Sequence, residues 1–379
     1  MASEVFDVCV VGGGIVGLCV ARQLLLEGLS VVLFERSSGV LCAASGRNSS
    51  ILHCGFDARS ECPLEQRLVQ EGSALWRELI RKTPGMFAAR QQGQYGGGLV
   101  VAWTEEEEKV LPTLLQKARA NKCPEVQLLS KEQLQRFGVL HESARAGLWV
   151  PNEIVADSWI AGMFVFHQAL EMGLKLRLNC AVWSVRQREE DKLLIINDSA
   201  VVARRLVNAA GTEADRVEAM RPGGPLCQFE SRPRLGEFVV FECKDKPVDA
   251  LPIIYPVPTE RTKGVLIWQN LAGYLVVGPT ARDVDSREVA LDAVDERSCK
   301  DLENFARKKL NVVGKRVRKK KYFFPLFSFF LRMQCFAGSS VLWIEASDRA
   351  CRLYCKSKRF LGDSGGNTKH RIYVIPCTW

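Results

Sequence analysis

Only four of the 379 residues are histidine, and none of the 14 cysteines stands in a C-x-x-C pair. Scattered cysteines and sparse histidines offer neither zinc-ligand spacing nor a disulfide framework. No metal site is therefore expected, and the cysteines read as reduced thiols. Long apolar runs are also missing. The strongest, Tyr322 to Leu331, is far shorter than the roughly 20 residues that span a bilayer, so no integral membrane segment is expected. A strand-like run begins by residue 5, leaving no room for a secretory or transit peptide. The expected location is the cytoplasm, with mitochondria left open. Acidic charge is scarce in one region only. Residues 311–379 carry 14 Lys and Arg against 3 Asp and Glu, a net +11, so the whole-chain +9 leaves residues 1–310 at −2. The basic excess belongs to this tail and gives no reason to expect nucleic-acid binding by the body.

The informative residues come first in the chain. Phe6-Asp7-Val8-Cys9-Val10-Val11 is an apolar run of strand length that leads directly into Gly12-Gly13-Gly14-Ile15-Val16-Gly17. A helical stretch follows to about Glu27, with Gly28 where a C-terminal cap belongs. A second strand, Ser30 to Phe34, ends at Glu35. This is a complete strand, glycine turn, helix, strand and acid, the pattern of a dinucleotide-binding unit. Gly12 permits the tight turn, Gly14 lets backbone approach a pyrophosphate, and Gly17 lets helix pack close on strand. The helix N-terminus offers N–H groups and positive dipole to phosphates. Glu35 accepts from ribose hydroxyls.

With 47% hydrophobic residues, the chain has enough apolar material for two interleaved domains. Residues 42–57 are small and polar, like a loop lying close to something. Leu64, Leu68, Leu75, Trp76 and Leu79 repeat at helical spacing. Leu99 to Trp103 reads as a strand. Thr104 before Glu105 to Glu108, and Ser130 before Gln133, open helices. Asp157 reads as the N-cap of a helix to about Met172. Strands follow at Leu174 to Leu178, Ala181 to Arg186, Lys192 to Ile196 and Val201 to Val207. The last runs into Asn208-Ala209-Ala210-Gly211, where small residues make room for a ligand or a crossing backbone. Residues 232–280 alternate like an antiparallel sheet, and 286–310 are helical. The expectation is an α/β fold: a Rossmann-like domain (residues 1–75 and 150–215) interleaved with an antiparallel-sheet substrate domain (76–149 and 216–310), followed by an atypical basic tail (311–379).

In combination these segments resemble the FAD-dependent oxidoreductases of the D-amino-acid oxidase superfamily. Within it they are most similar to the anaerobic-type glycerol-3-phosphate dehydrogenases, and next to the L-2-hydroxyglutarate dehydrogenases. Six segments carry the likeness: Val10 to Gly17, Asn48-Ser49-Ser50-Ile51-Leu52-His53, Leu206 to Gly211, Arg232 to Phe238, Tyr255 to Val265, and Leu275 to Ala281. The resemblance covers about residues 5–310 and implies FAD as cofactor. It implies a cofactor set of Gly12, Gly14, Gly17, Glu35, Arg36, Arg47, Asn48, Ser49, Val182, Ala210 and Gly211, with the Val182 backbone toward the adenine. Ser50 stands where the family has glycine. In the tail, Phe336-Ala337-Gly338-Ser339 lacks the family's arginine after the glycine, and no copy of the last glycine turn over the flavin is found. Residues 311–379 are therefore not expected to complete the flavin site.

The implied reaction oxidises a small anionic secondary alcohol, glycerol 3-phosphate-like, with hydride leaving C2 for the flavin. A 2-hydroxy acid of the L-2-hydroxyglutarate type is the alternative substrate, and a catalytically inactive flavin-fold remnant the alternative outcome. The electron acceptor, whether a quinone, a partner subunit or oxygen, is open. A base must take the hydroxyl proton and a cation must hold the anionic end. His53 is the candidate base, against a role shaping its loop. Arg234, with Arg232, is the candidate anion holder, against an exposed strand face. Arg47 suits a pyrophosphate, a substrate or plain solvent. Tyr255 is a substrate donor or a sheet aromatic. His141 and His167 read as structural, Glu105 to Glu108 as a solvated helix start, and Lys315 to Lys321 as a disordered, solvated stretch.

Overall fold

In the computed structural model, described residues are 5–59, 61–83, 96–189, 192–196, 200–223, 229–243, 251–259, 264–287 and 295–311, with the backbones of strands 317–320, 326–330 and 372–374. They form two compact units. The first contains residues 1–46, 159–233 and 328–378; the second contains 47–158 and 234–327. The sequence suggested divisions after 75, 149 and 215. Residues 47–75 fall in the second unit instead, together with 150–158, to which Ile51–Leu52 is joined by its antiparallel pairing with Ile154–Val155, and residues 216–233 fall in the first.

In the first unit, strand β1 (Val5–Val11) lies between two parallel neighbours, β2 (Val31–Phe34) and the strand Val201–Asn208. Both its faces are covered, which is why it reads as a continuous apolar run rather than an alternating one. Helix α1 (Ile15–Leu26) buries Ile15, Leu18, Val20, Ala21 and Leu24. It ends as anticipated at Gly28, whose φ of 80° is left-handed. Lys175–Arg177 extends the sheet beyond β2, and an antiparallel meander of Lys192–Ile196 and Ser184–Glu189 extends it beyond Val201–Asn208. Ala181–Trp183, expected in a strand, is not in one. Asn179 turns the chain at φ 52°, and the Cys180 N–H donates instead to the Glu35 carbonyl. The backbone of Ile372–Val374 pairs with the end of Val201–Asn208.

The second unit is built on an eight-stranded sheet that is antiparallel throughout except where Ile253–Pro256 runs parallel to Gly98–Ala102. Period-2 alternation sends Leu99, Val101, Val239 and Phe241 to one face and Val100, Ala102, Phe238 and Val240 to the other. The helix Glu296–Lys309 covers the first face through Cys299, Leu302 and Ala306; Glu105–Ala120 covers the second through Leu111, Leu114 and Ala118. The capping boxes at Thr104–Glu107 and Ser130–Gln133 form as their sequences dictate. The late helix starts at Asp295, whose carboxylate accepts from the Arg297 and Ser298 N–H groups, rather than at 286. The basic run corrects another expectation. Val317–Lys320, read as solvated and disordered, forms the edge strand beside Val239–Cys243, a place where cationic residues are well tolerated. Most of the tail, including Gly338 and Ser339, lies outside the described residues, as does the expectation built on it.

Candidate functional site

The first unit assembles the glycine turn. Gly12 has φ 110°, and a Cβ there would run into the Ala209 carbonyl. A Cβ on Gly17 would run into the Gly12 carbonyl. Both glycines are thus required by the packing of strand on strand and helix on strand. Gly14 differs, because a Cβ there would meet only Ser45 Oγ, at 3.1 Å. Its smallness answers to no backbone neighbour and leaves room in front of the helix. Gly14 is the N-cap of α1, without a side-chain cap of its own, and the first turn holds no acid. The positive helix end is therefore not neutralised from within the helix. Ser45 Oγ accepts from the Ile15 N–H at 3.0 Å.

Glu35 stands at the end of β2. One carboxylate oxygen accepts from the Gly13 N–H at 2.7 Å and the other from the Ser37 N–H at 2.8 Å. Each oxygen keeps a further lone pair for a ribose hydroxyl. Ala210 and Val182 both pack against the cluster of Val11, Phe34 and Leu206. Gly211 has φ 57°, and Arg36 reaches Glu213 at 3.6 Å. The fold thus gathers Gly12, Gly14, Gly17, Glu35, Arg36, Val182, Ala210 and Gly211 in one unit. These residues fit FAD: an open glycine at an uncompensated helix N-terminus suits a pyrophosphate, and a fixed carboxylate at the end of the next strand suits a ribose. Arg47, Asn48 and Ser49 belong to the second unit, where Asn48 Oδ1 accepts from the Ser50 N–H at 2.8 Å. Ser50 holds φ 56°, a left-handed conformation that glycine adopts without strain.

The second unit holds a buried polar cluster around His53. The ladder pairing Ile51 with Val155 and Leu52 with Ile154 continues to set His53 across from Glu153. His53 Nδ1 and Glu153 Oε2 lie 2.8 Å apart; the Glu153 side chain is 0% exposed and that of His53 16%. The same carboxylate accepts from the Tyr255 hydroxyl and, at 2.7 Å, from the Cys54 N–H. Burial alone would raise the Glu153 pKa. The charge and hydrogen bond of His53, with the hydrogen bonds from Tyr255 and the Cys54 N–H, outweigh it and hold the carboxyl below its usual range. Burial, then the Glu153 charge, push the Tyr255 phenol well up. Cys54 is pushed well up by its contact with Cys123, 3.7 Å between sulfurs, then by burial and by Glu153. Among the described residues the only hydrogen bond of the His53 ring is at Nδ1. Glu153 and the carboxylate-bonding role of Tyr255 were not anticipated from sequence.

Arg234 Nε lies 2.6 Å from Asp283 Oδ1, so a substrate anion there would compete with a carboxylate already in place. Arg232 is exposed and pairs with Glu230. His141 bonds Ser143, and His167 packs on Phe166 in its helix, as structural residues do. Among the described residues no group of His, Cys, Asp and Glu could hold a metal, and no helix is long and apolar enough to cross a membrane.

Comparison with known proteins agrees with this geometry. The profile described as FAD dependent oxidoreductase, DAO, matches residues 7–323. A glycerol 3-phosphate dehydrogenase of Caloramator mitchellensis is 28% identical over 294 residues, 77% of this chain and 58% of the relative. A mitochondrial L-2-hydroxyglutarate dehydrogenase of Caenorhabditis briggsae is 26% identical over 287 residues, 73% of this chain and 63% of the relative. The chain thus spans less than two thirds of either relative. A solved L-α-glycerophosphate oxidase from Mycoplasma pneumoniae with FAD bound superposes with a TM-score of 0.75 at 23% identity, covering 87% of this chain and 84% of that one.

Proposed function

We propose a reaction for this chain from the premise that it belongs to the FAD dependent oxidoreductase family: oxidation of a small anionic secondary alcohol of the glycerol 3-phosphate type. Bound FAD supplies the hydride acceptor. Glu35 holds the ribose, and the open N-terminus of α1 at Gly14 takes the pyrophosphate, with Arg36, Arg47, Asn48, Ser49, Val182, Ala210 and Gly211 completing the cofactor contacts. His53 takes the hydroxyl proton on Nε2 as the C2 hydride leaves. Arg234 holds the anionic end of the substrate by exchanging its Asp283 partner for it. The observation that carries this reading is the His53 ring, fixed at Nδ1 and unengaged at Nε2. The relative named for L-2-hydroxyglutarate supports a second reading, a 2-hydroxy acid. Both substrate classes present a secondary alcohol beside an anion, so the residue roles are the same.

The test is the rate of flavin reduction per bound flavin, measured with glycerol 3-phosphate and with L-2-hydroxyglutarate. His53→Ala should lower it by about 10²-fold or more with flavin still bound. An unchanged rate per flavin removes His53 from the reaction, and reduction by neither compound removes both substrate classes. Reoxidation by oxygen, a quinone or neither then decides among oxygen, a quinone and a partner subunit as electron acceptor.

A further inference from the structure

Glu153 lies outside every motif that marks the cofactor or the substrate, yet the local structure is arranged around it. It follows the turn Pro151-Asn152, whose carbonyl at Asn152 accepts from Arg77 Nη2. Gly98, on the neighbouring strand, provides its space: a Cβ there would come within 2.9 Å of Glu153 Cγ and 2.8 Å of the Tyr255 ring. Around the fully buried carboxylate stand three donors: the His53 ring, the Tyr255 hydroxyl and the Cys54 N–H.

We propose that Glu153 is the positioning residue for His53: its carboxylate keeps the proton on Nδ1, fixes the plane of the ring and leaves the Nε2 lone pair as the proton acceptor. This rests on reading His53 as the base. The donor count explains why a carboxylate is needed. Oε1 is committed to the Cys54 N–H, a backbone donor that cannot reverse, so Oε2 alone faces the ring and the phenol. An amide at this position has one acceptor for both sides. If its oxygen serves Cys54, its NH2 faces Nδ1, and the ring must move its proton to Nε2. That tautomer has no lone pair where the substrate proton must go. The other polar or charged groups near this cluster are Arg77, Asp57 and Cys123.

The experiment is 15N NMR of the FAD-loaded protein labelled at histidine, at a pH high enough that the ring 15N shifts no longer change, with His53 assigned by the signal lost in His53→Asn. Wild type should show Nδ1 protonated and Nε2 bare. Glu153→Gln should invert this and lower the flavin-reduction rate at least about 10²-fold, without loss of bound flavin. Tyr255→Phe, which leaves the carboxylate, should keep the wild-type tautomer. A wild-type ring protonated at Nε2, a Glu153→Gln ring that keeps its tautomer, or inversion in Tyr255→Phe would each overturn the assignment. If Glu153→Gln does not fold, the wild-type and Tyr255→Phe spectra still decide. Inversion in Glu153→Gln with an undiminished rate per flavin would leave Glu153 holding the ring and instead overturn the role of His53 as base.

Discussion

Three carbonyls of the loop that leaves His53 converge on one side chain, and its removal gives a quantitative test of how this region is stabilised. Asn121 ends the helix Glu105–Ala120 and is 1% exposed. Its Nδ2 lies 2.9, 3.2 and 3.1 Å from the carbonyls of Gly55, Phe56 and Ala58, and its Oδ1 accepts from Gln66. Two hydrogens on Nδ2 satisfy two of these carbonyls at a time. Asn121→Ala leaves both without a donor, at about 1–1.5 kcal/mol each, while Gln66 can turn to water. The position caps the helix rather than lying inside it, so helix propensity returns little, and the loss is about 2–3 kcal/mol. For a chain of this size that lowers the melting temperature by roughly 3 °C. Asn121→Asp keeps the shape but sets an anion against three carbonyls, and should cost more than alanine despite being isosteric. Such a carboxyl has a folded-state pKa raised above its unfolded value. Its penalty therefore grows as pH rises above the unfolded value, and the aspartate variant should recover as pH falls toward about 4. Thermal unfolding followed by circular dichroism, with saturating FAD throughout, measures all three proteins. If both variants lie within about 0.5 kcal/mol of wild type, or if aspartate is no worse than alanine, the hydrogen-bond account of this loop is wrong.

Four further outcomes are expected. Glu35→Ala should weaken FAD binding by about 1–3 kcal/mol, read from flavin fluorescence on titration; full occupancy at limiting FAD would count against its ribose role. Gly17→Ala, whose Cβ meets the Gly12 carbonyl, should compromise folding by about 3 kcal/mol or more. Gly14→Ala should leave the flavin-free protein within about 1 kcal/mol of wild type and yet lose FAD affinity at least about 10-fold; the opposite ranking would mean that Gly14 serves the fold. Because the folded Glu153 pKa is lowered, its contribution is full above the unfolded value of about 4.3 and fades as pH falls through the folded one. The urea-denaturation difference between wild type and Glu153→Gln should shrink correspondingly below about pH 4, and a difference that instead grew there would reverse the sign assigned.

What could be read from the sequence is what local physics determines. β1, the glycine turn, α1 and β2 are contiguous, and each residue type answers to a neighbour a few positions away, so the cofactor half was legible down to Gly28 as the helix stop. The apolar run Leu99 to Trp103 likewise read as a strand, and the structure shows both faces of that strand covered. Strand partners were not legible. Nothing local says that Ile253–Pro256 lies parallel to Gly98–Ala102, or that a strand of the basic tail pairs with Val239–Cys243. The same gap hid Asp283, which the register of Arg234 brings opposite it. It also hid Glu153, 100 positions from the histidine it bonds. A signal was present: Ile51-Leu52-His53 and Glu153-Ile154-Val155 are short apolar pairs, each adjoining an ionisable residue at the end where an antiparallel ladder would bring the two together. It becomes readable only once the two segments are known to pair.

The cost of burying Glu153 argues that this cluster exists for chemistry rather than for the fold. Its surroundings are apolar: Ile51, Phe56, Val155 and Tyr255 belong to one cluster on the helix-covered face of the sheet. Replacing a buried charge together with its partners by well-packed hydrophobic side chains of similar size would often be as stabilising, or more so. Keeping the carboxylate ionised instead requires three donors aimed at one group, a glycine at 98 to clear space, and a backbone N–H from Cys54 withheld from any strand pairing. A requirement for core volume alone would select none of these. A requirement for an imidazole of fixed tautomer selects all three, since each donor other than the ring helps keep the carboxylate charged and oriented toward Nδ1. On this argument, Glu153→Leu removes the control over the ring proton and also leaves the Cys54 N–H and the Tyr255 hydroxyl without an acceptor, at about 1–3 kcal/mol each; adding Tyr255→Phe should recover part of the stability and none of the control.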